Sequence, residues 1–225
     1  MIKKALDDIF ENIKNGNNFN EEITLVGATK TVSADTINLA VKHGLKVVAE
    51  NRVQEFREKT ELIDKCASQH FIGHLQTNKV KYLVGKVDLI HSVDTIRLAE
   101  EISKEAVKKG VTQDILCEIN VGGELSKSGF DFDNAKMAVK ELSTLKNVHV
   151  MGLMAMLPAS CDQEYLASLC RKMRALYDDL KAQGYPFKHL SMGMSGDYKI
   201  AIKNGSNMIR IGSGIFGARV YPTNN

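Results

Sequence analysis

Short apolar runs separated by helical patterns recur along the chain, and we count eight of them. Most runs are continuously apolar, which is typical of strands buried on both faces of a parallel sheet. Between them, apolar residues recur at helical spacing. The predicted strands are ITLVGATK (23–30), LKVVAE (45–50), HFIGHL (70–75), VDLIHSV (87–93), DILCEINV (114–121), VHVMGLMAM (148–156), HLSMGM (189–194) and NMIRIGS (207–213).

Strands that alternate with helices favour a parallel sheet with crossover helices, an α/β fold. A closed (β/α)8 TIM barrel takes about 250 residues, so one barrel would use the whole chain of 225 residues. The alternative, a flavodoxin-like open sheet, would leave about three strands over. We therefore predict a single barrel domain over residues 1–225, preceded by one helix over residues 3–14 and followed by no second domain.

Local signals predict where several helices begin and end. Ser33 is the predicted N-cap and Gly44 the predicted C′ residue of the helix after the first strand. Asp94 is the predicted N-cap of the helix over residues 95–110. The charged segment EFREKTELIDK, residues 55–65, is interpreted as a solvated helical face.

Composition narrows the class of protein. The net charge is only +3 and no basic block occurs, so we expect no nucleic-acid partner. No run approaches the roughly 18 apolar residues of a membrane span, and the N-terminus lacks the apolar core of a signal peptide. The four cysteines form no C-x-x-C pair, so we expect reduced thiols and no metal site. These features indicate a cytoplasmic protein that binds no membrane.

Candidate chemistry is expected at the carboxyl ends of the strands, where the active sites of such barrels lie. Strand one ends in Lys30. The loops after strands seven and eight read MSGD (194–197) and IGSG (211–214), and they offer small residues, hydroxyls and backbone N–H groups to a phosphate. A lysine in a partly dry pocket becomes nucleophilic. The pattern therefore indicates an amine that forms a Schiff base with a phosphorylated carbonyl compound.

Seven motifs, in order, resemble those of the pyridoxal phosphate homeostasis protein family, and they extend over residues 23–219. They read VGATK, AENRVQEFREK, HFIGHLQTNKVKYL, INVGGELSKSGF, GLMAMLP, LSMGMSGDYKIAI and IRIGSGIFGAR. The resemblance implies the fold-type III barrel, similar to the N-terminal barrel of alanine racemase but lacking its second β domain. The cofactor it implies is pyridoxal 5′-phosphate (PLP).

The resemblance also implies a set of cofactor-binding residues. Lys30 would be the Schiff-base lysine, and residues of the last two loops would form the phosphate cradle. Arg210 would face the pyridine nitrogen, while Asn51 would lie at the ring side and Met154 near the ring face. The implied set is Lys30, Asn51, Met154, Ser195, Gly196, Arg210, Gly212 and Ser213.

Side chains around the predicted mouth have weaker interpretations. By the resemblance, His74, Gln76 and Asn78 lie near the mouth. Lys127 is interpreted as a solvated lysine, with a second amine near the mouth as the alternative. Of the six tyrosines, only Tyr198 is expected to lie near the mouth.

The implied function is PLP binding without an evident catalytic residue. A guanidinium beside the pyridine nitrogen disfavours its protonation, which makes the ring a poor electron sink. The family role implied is buffering and delivery of PLP, which affects amino-acid and keto-acid balance. Without the dimerising second domain, we expect a monomer. Transfer to apo PLP-dependent enzymes is a hypothesis. The alternatives are a weak monomeric amino-acid racemase, a Schiff-base aldolase acting on a sugar phosphate, and a regulatory protein whose PLP state gates an interaction.

Overall fold

A closed sheet of parallel strands forms the centre of the molecule. The computed structural model describes residues 1–124 and 126–217. Its strands are Thr24–Ala28 (β1), Val47–Glu50 (β2), Ser68–Phe71 (β3), Leu89–Val93 (β4), Gln113–Asn120 (β5), Phe130–Asp131 (β6), Val148–Met154 (β7), His189–Ser191 (β8) and Met208–Ile211 (β9). β1 pairs with both β2 and β9, and β4 pairs with β5, so every strand except the two-residue β6 belongs to a closed ring. The predicted (β/α)8 barrel is confirmed.

Helices follow the barrel strands and cover the outside of the ring. They are Ile2–Ile13 (α1), Ala34–Lys42 (α2), Val53–Lys59 (α3), Ile96–Lys109 (α4), Ala135–Leu142 (α5), Gln163–Ala182 (α6), Tyr198–Lys203 (α7) and Ser213–Phe216 (α8). Short 3₁₀ helices cover Thr60–Leu62, Thr77–Tyr82 and Phe132–Asn134. Across the two described ranges, no helix has both the length and the apolar character needed to cross a membrane.

Capping explains several helix boundaries. The Ser33 hydroxyl accepts a hydrogen bond from the backbone N–H of Thr36, as the sequence predicts, and Gly44 has a φ of +99° just beyond the end of α2. The prediction of Asp94 as a cap is wrong. Thr95 caps α4, because its own extended backbone brings its hydroxyl to the N–H of Leu98. Both residue types can cap a helix, so the sequence alone did not separate these neighbours.

Apolar side chains fill both the space between barrel and helices and the interior of the barrel. The interior group consists of Val26, Ala49, Leu89, Leu116, Met151, Met154 and Met208. The barrel is therefore a packed core rather than a channel. At Gly152 the backbone has a φ of +152°, and an added Cβ would lie 1.8 Å from the carbonyl oxygen of His189. Only glycine allows β7 and β8 to approach this closely. Because the interior is apolar, we look for polar functional groups at the carboxyl ends of the strands.

Candidate functional site

Lys30 lies two residues beyond the end of β1, half-buried at the carboxyl end of the barrel. It lines a cavity of about 240 Å³ whose other walls include Gly212 and Ser213. β1 and β9 are neighbours in the sheet, with Gly27 in register with Ile211. Because parallel strands in register end side by side, the fold brings the predicted lysine and one predicted phosphate loop together.

A pair of serines joins the loops after β8 and β9. The hydroxyl oxygens of Ser195 and Ser213 lie 3.2 Å apart. The backbone N–H of Gly214 donates to the Ser195 hydroxyl at 3.2 Å. Gly196 is exposed beside Ser195, with no atom within 4 Å of the position a Cβ would take. Hydroxyl and backbone N–H donors with open space around them suit an anion. The four residues predicted for the phosphate cradle therefore lie at adjacent turns.

Arg210 lies on β9 and is only 5% exposed. Its guanidinium donates to the Ser191 carbonyl at 2.9 Å, to the Ser191 hydroxyl at 2.6 Å and to the Ala155 carbonyl at 3.0 Å. Burial lowers the pKa of Arg210 to about 10, while the carboxylates of Glu118 and Asp197 act in the opposite direction. The group is therefore a cation at neutral pH. Its neutral acceptors hold it in one orientation near the mouth.

A chain of hydrogen bonds continues from Arg210 into the barrel. Ser191 Oγ lies 3.3 Å from His91 Nδ1, and His91 Nε2 lies 3.0 Å from His70 Nδ1. A guanidinium can only donate, so the Ser191 hydroxyl accepts from Arg210 and its hydrogen can be donated to His91 Nδ1. In that arrangement His91 carries its hydrogen on Nε2 and donates to His70. Burial lowers the pKa of His70 to about 4 and holds that of His91 well below 6.5, so both rings are neutral.

Asn51 and Met154 occupy different surroundings. Asn51 follows β2 and lines a cavity of about 250 Å³ together with His74 and Gln76. Its Oδ1 is buried and has no hydrogen-bond partner among the described residues. Met154 is 1% exposed and packs inside the barrel, so it contributes to the core. Asn51 thus lies at the mouth, as expected, and offers an unsatisfied acceptor there.

The tyrosine at the mouth is Tyr82 rather than Tyr198. The Tyr198 hydroxyl accepts a hydrogen bond from Asn12 of α1 at 3.3 Å, which places it in the outer helical layer. Tyr82 lines the cavity that contains Asn51, and the Arg57 guanidinium lies 4.4 Å from its ring centre. The expectation for Tyr198 is wrong because α7 turns this side chain toward α1. Tyr221 lies outside the described residues.

Two charged residues of the segment 55–65 are not solvated, which corrects the interpretation from sequence. The Glu55 and Lys59 side chains are 17% and 15% exposed and form an ion pair of 2.8 Å. Lys59 also pairs with Glu50 at 3.0 Å and donates to the Thr29 carbonyl at 3.2 Å. Burial acts to lower the pKa of Lys59, but the hydrogen bonds that Lys59 donates to the two carboxylates, and the attraction of their charges, outweigh burial and raise that pKa. Spacing i,i+4 reveals such a pair, but not its burial.

A third cavity adjoins the one that contains Asn51, because His74 lines both. It measures about 230 Å³ and is lined by Glu118 and Lys127 among others. Burial, assisted by the negative charge of Asp94, raises the pKa of Glu118 to about 7. Lys127 is half-buried rather than solvated, because it pairs with Glu124 and donates to the Leu157 carbonyl at 3.2 Å.

The closed parallel barrel carries a lysine after its first strand and serine–glycine turns after its last two strands. These features are typical of the alanine racemase N-terminal domain. The model of that family matches residues 5–220. An alanine racemase of Clostridium difficile superposes with a TM-score of 0.80 over 99% of this chain and 57% of the racemase, at 16% identity. At that identity the likeness concerns the fold alone.

More similar proteins define the family within this class. The pyridoxal phosphate homeostasis protein of Aquifex aeolicus is 48% identical over 199 residues, which are 88% of this chain and 87% of that protein. PipY of Synechococcus elongatus, in its structure with PLP bound, superposes with a TM-score of 0.82 at 29% identity, over 96% of this chain and all of PipY. The chain belongs to the pyridoxal phosphate homeostasis protein family.

Proposed function

We propose that the chain binds PLP as a Schiff base on Lys30 and takes part in intracellular PLP homeostasis, through buffering and delivery of the cofactor. The observation that carries this proposal is that Lys30 and Ser213 line one cavity, with Ser195 in contact with Ser213. The function named in the relatives and the PLP bound to PipY support it. We assign this role to residues 1–225 as a single domain.

The described residues fit the groups of PLP, which supplies an aldehyde that reacts reversibly with amines. Lys30 would add its ε-nitrogen to the aldehyde carbon, and release of water would leave a C=N bond. Ser195, Gly196, Gly212 and Ser213 would hold the phosphate. Three further residues would face the ring: Asn51 with its unsatisfied Oδ1, Arg210 with its fixed cation, and Met154.

Holding PLP without turning substrates over is the mode that these residues favour. The fixed charge of Arg210 disfavours a proton on the pyridine nitrogen, so strong stabilisation of a carbanion is not expected. We assign no catalytic residue. We further propose that the protein works as a cytoplasmic monomer and that apo PLP-dependent enzymes are the acceptors.

Delivery is tested with the PLP-loaded protein and an apo-enzyme whose activity requires PLP. We expect activity to appear faster than the spontaneous release of PLP, measured separately with an excess of an aldehyde trap, would allow. Lys30→Ala is expected to deliver no PLP, and Lys199→Ala, which changes an exposed lysine of α7, is expected to behave as the wild type. Equal rates of delivery and spontaneous release would contradict delivery while leaving binding intact.

Racemisation is the activity to test against this proposal, because the fold is shared with alanine racemase. Loss of optical rotation from L-alanine in the presence of PLP measures it. We expect none. Turnover that disappears in Lys30→Ala would replace the homeostasis proposal with a weak racemase.

A further inference from the structure

Three charged side chains, one buried and two half-buried, form a network behind the loop that carries Lys30. Lys59 Nζ donates to Glu50 Oε1 at 3.0 Å and to Glu55 Oε2 at 2.8 Å. Their side chains are 15%, 8% and 17% exposed, respectively. The Thr29 hydroxyl donates to the same Glu50 oxygen at 2.7 Å. The network therefore reaches the β1 end from β2 and α3.

The network forms hydrogen bonds with the backbone on both sides of Lys30. The Thr29 carbonyl, which belongs to the peptide before Lys30, accepts from Lys59 Nζ at 3.2 Å. The N–H of Thr31, which belongs to the peptide after Lys30, donates to Glu55 Oε2 at 2.7 Å. Fixing both peptide planes fixes the Cα–Cβ direction of the residue between them. These hydrogen bonds form between groups of the protein itself, without any group of the cofactor.

Backbone strain lies at the same place. Thr31 has a φ of +63°, which is rare for a β-branched residue because its Cβ crowds the backbone. Such a conformation costs on the order of 1–3 kcal/mol and persists only where the surroundings hold it. Two hydrogen bonds hold this turn: the Thr31 N–H donates to Glu55 Oε2, and the Val32 N–H donates to the Thr29 carbonyl. Backbone strain next to a reactive residue is typical of sites where the surrounding structure positions that residue.

Stability alone is a poor explanation for a buried set of charges. Desolvation offsets most of their attraction, and well-packed apolar residues are often as stabilising. What the charges provide is a firm hold on the two peptides that flank Lys30, because hydrogen bonds to charged groups are shorter and stronger than those between neutral groups. We propose that Lys59, with Glu50 and Glu55, positions Lys30 for reaction with the aldehyde of PLP. This inference rests on the proposed function.

The first test changes Lys59 to methionine, which keeps an unbranched side chain one atom shorter and removes the three hydrogen bonds of Lys59. The rate constant of Schiff-base formation is measured from the absorption band after mixing with PLP. We expect it to fall by about tenfold, since a misplacement of roughly 1 Å can cost up to a hundredfold. The circular dichroism of the same band, which reports the geometry of the bound group, should change as well. The melting temperature is recorded in parallel.

Lys109→Met is the matched control. Lys109 also pairs with a glutamate at i−4, Glu105, and also donates to two backbone carbonyls, of Lys81 and Val84. It lies on α4, away from Lys30. We expect a comparable effect on melting temperature and no effect on the rate constant or the dichroism. A loss of rate in both variants in proportion to their stability would overturn the positioning role.

A second pair of variants keeps the test decisive if Lys59→Met does not fold. Glu55→Gln retains the shape of the side chain and weakens the hold on Thr31, so we expect slower Schiff-base formation. Adding Thr31→Gly, which accepts a positive φ without strain, should restore part of the rate. Glu55→Gln with wild-type rate and dichroism would refute the inference. Absence of any band in the wild type would instead refute the proposed function.

Discussion

Replacement of both Ser195 and Ser213 by alanine isolates the proposed phosphate cradle from the rest of the site. The two hydroxyls face each other at 3.2 Å across the turns after β8 and β9, and Ser213 is exposed. Neither side chain belongs to the apolar core. The Gly214 N–H that loses its acceptor is itself exposed, so water can replace the Ser195 hydroxyl. We therefore expect the variant to fold with a stability loss below about 1 kcal/mol.

The expected loss of PLP affinity follows from the charge of the phosphate. A hydrogen bond to a charged group contributes about 1.5–3 kcal/mol. Each 1.4 kcal/mol is about tenfold in Kd. Water replaces part of the lost contacts, so the double variant should bind PLP roughly tenfold to a hundredfold more weakly. Pyridoxal, which has the aldehyde but no phosphate, should lose little.

Absorbance titrations with PLP and with pyridoxal, on wild type and variant, measure this difference. Ser168→Ala is the control, because its exposed hydroxyl on α6 only donates to the Tyr165 carbonyl. An equal loss of affinity for both aldehydes, or no loss of affinity for PLP, would refute the proposed phosphate cradle. Either result would move the phosphate away from these two turns.

Three further predictions concern stability, each measured as the free energy of unfolding in denaturant. Glu118→Gln should stabilise the protein by about 3 kcal/mol at pH 8 and by almost nothing at pH 4. The folded-state pKa of Glu118 is raised to about 7, so ionisation above that pH costs free energy in the folded state alone. The same gain at both pH values would contradict a buried neutral carboxyl. The folded-state pKa of His70 lies below its unfolded value, so the stability that neutral His70 contributes is present above pH 6.5 and is lost as pH falls toward about 4. Between pH 7.5 and pH 5, His70→Gln should therefore lose about 2 kcal/mol less stability than the wild type. Parallel plots of stability against pH for the two proteins would argue against this. Gly152→Ala should cost more than about 3 kcal/mol, since its Cβ would lie 1.8 Å from the His189 carbonyl, and a loss under 1 kcal/mol would mean that β7 and β8 separate easily.

Much of the architecture could be predicted because its signals are local. Strands buried on both faces give continuous apolar runs, and all eight predicted runs overlap a barrel strand. The poorest match is the run 70–75, because β3 covers Ser68–Phe71 and ends well before the run does. Lys30 and the turns with Ser195 and Ser213 follow from the rule that barrel chemistry lies at the carboxyl ends of strands. Their proximity depends on closure between β1 and β9, which the count of strands suggests.

The remaining features depend on contacts between distant segments. Glu55 and Lys59 have the spacing of an ordinary surface pair, and only the packing of α3 against the end of β1 buries them. The direction of Tyr198 depends on how α7 meets α1. Met154 packs with the barrel interior, and its place near the ring face stays a prediction. Sequence periodicity does not distinguish an inward-facing core residue from one that lines the pocket.

Borohydride reduction of the PLP-loaded protein, followed by peptide mass mapping, identifies the lysine that forms the Schiff base. Reduction converts the C=N bond to a stable amine, so the pyridoxyl group remains on the lysine that held PLP. We predict a single modified peptide with the label on Lys30, and no labelled peptide from Lys30→Ala. A label on Lys127 or another lysine, with Lys30 unmodified, would contradict it.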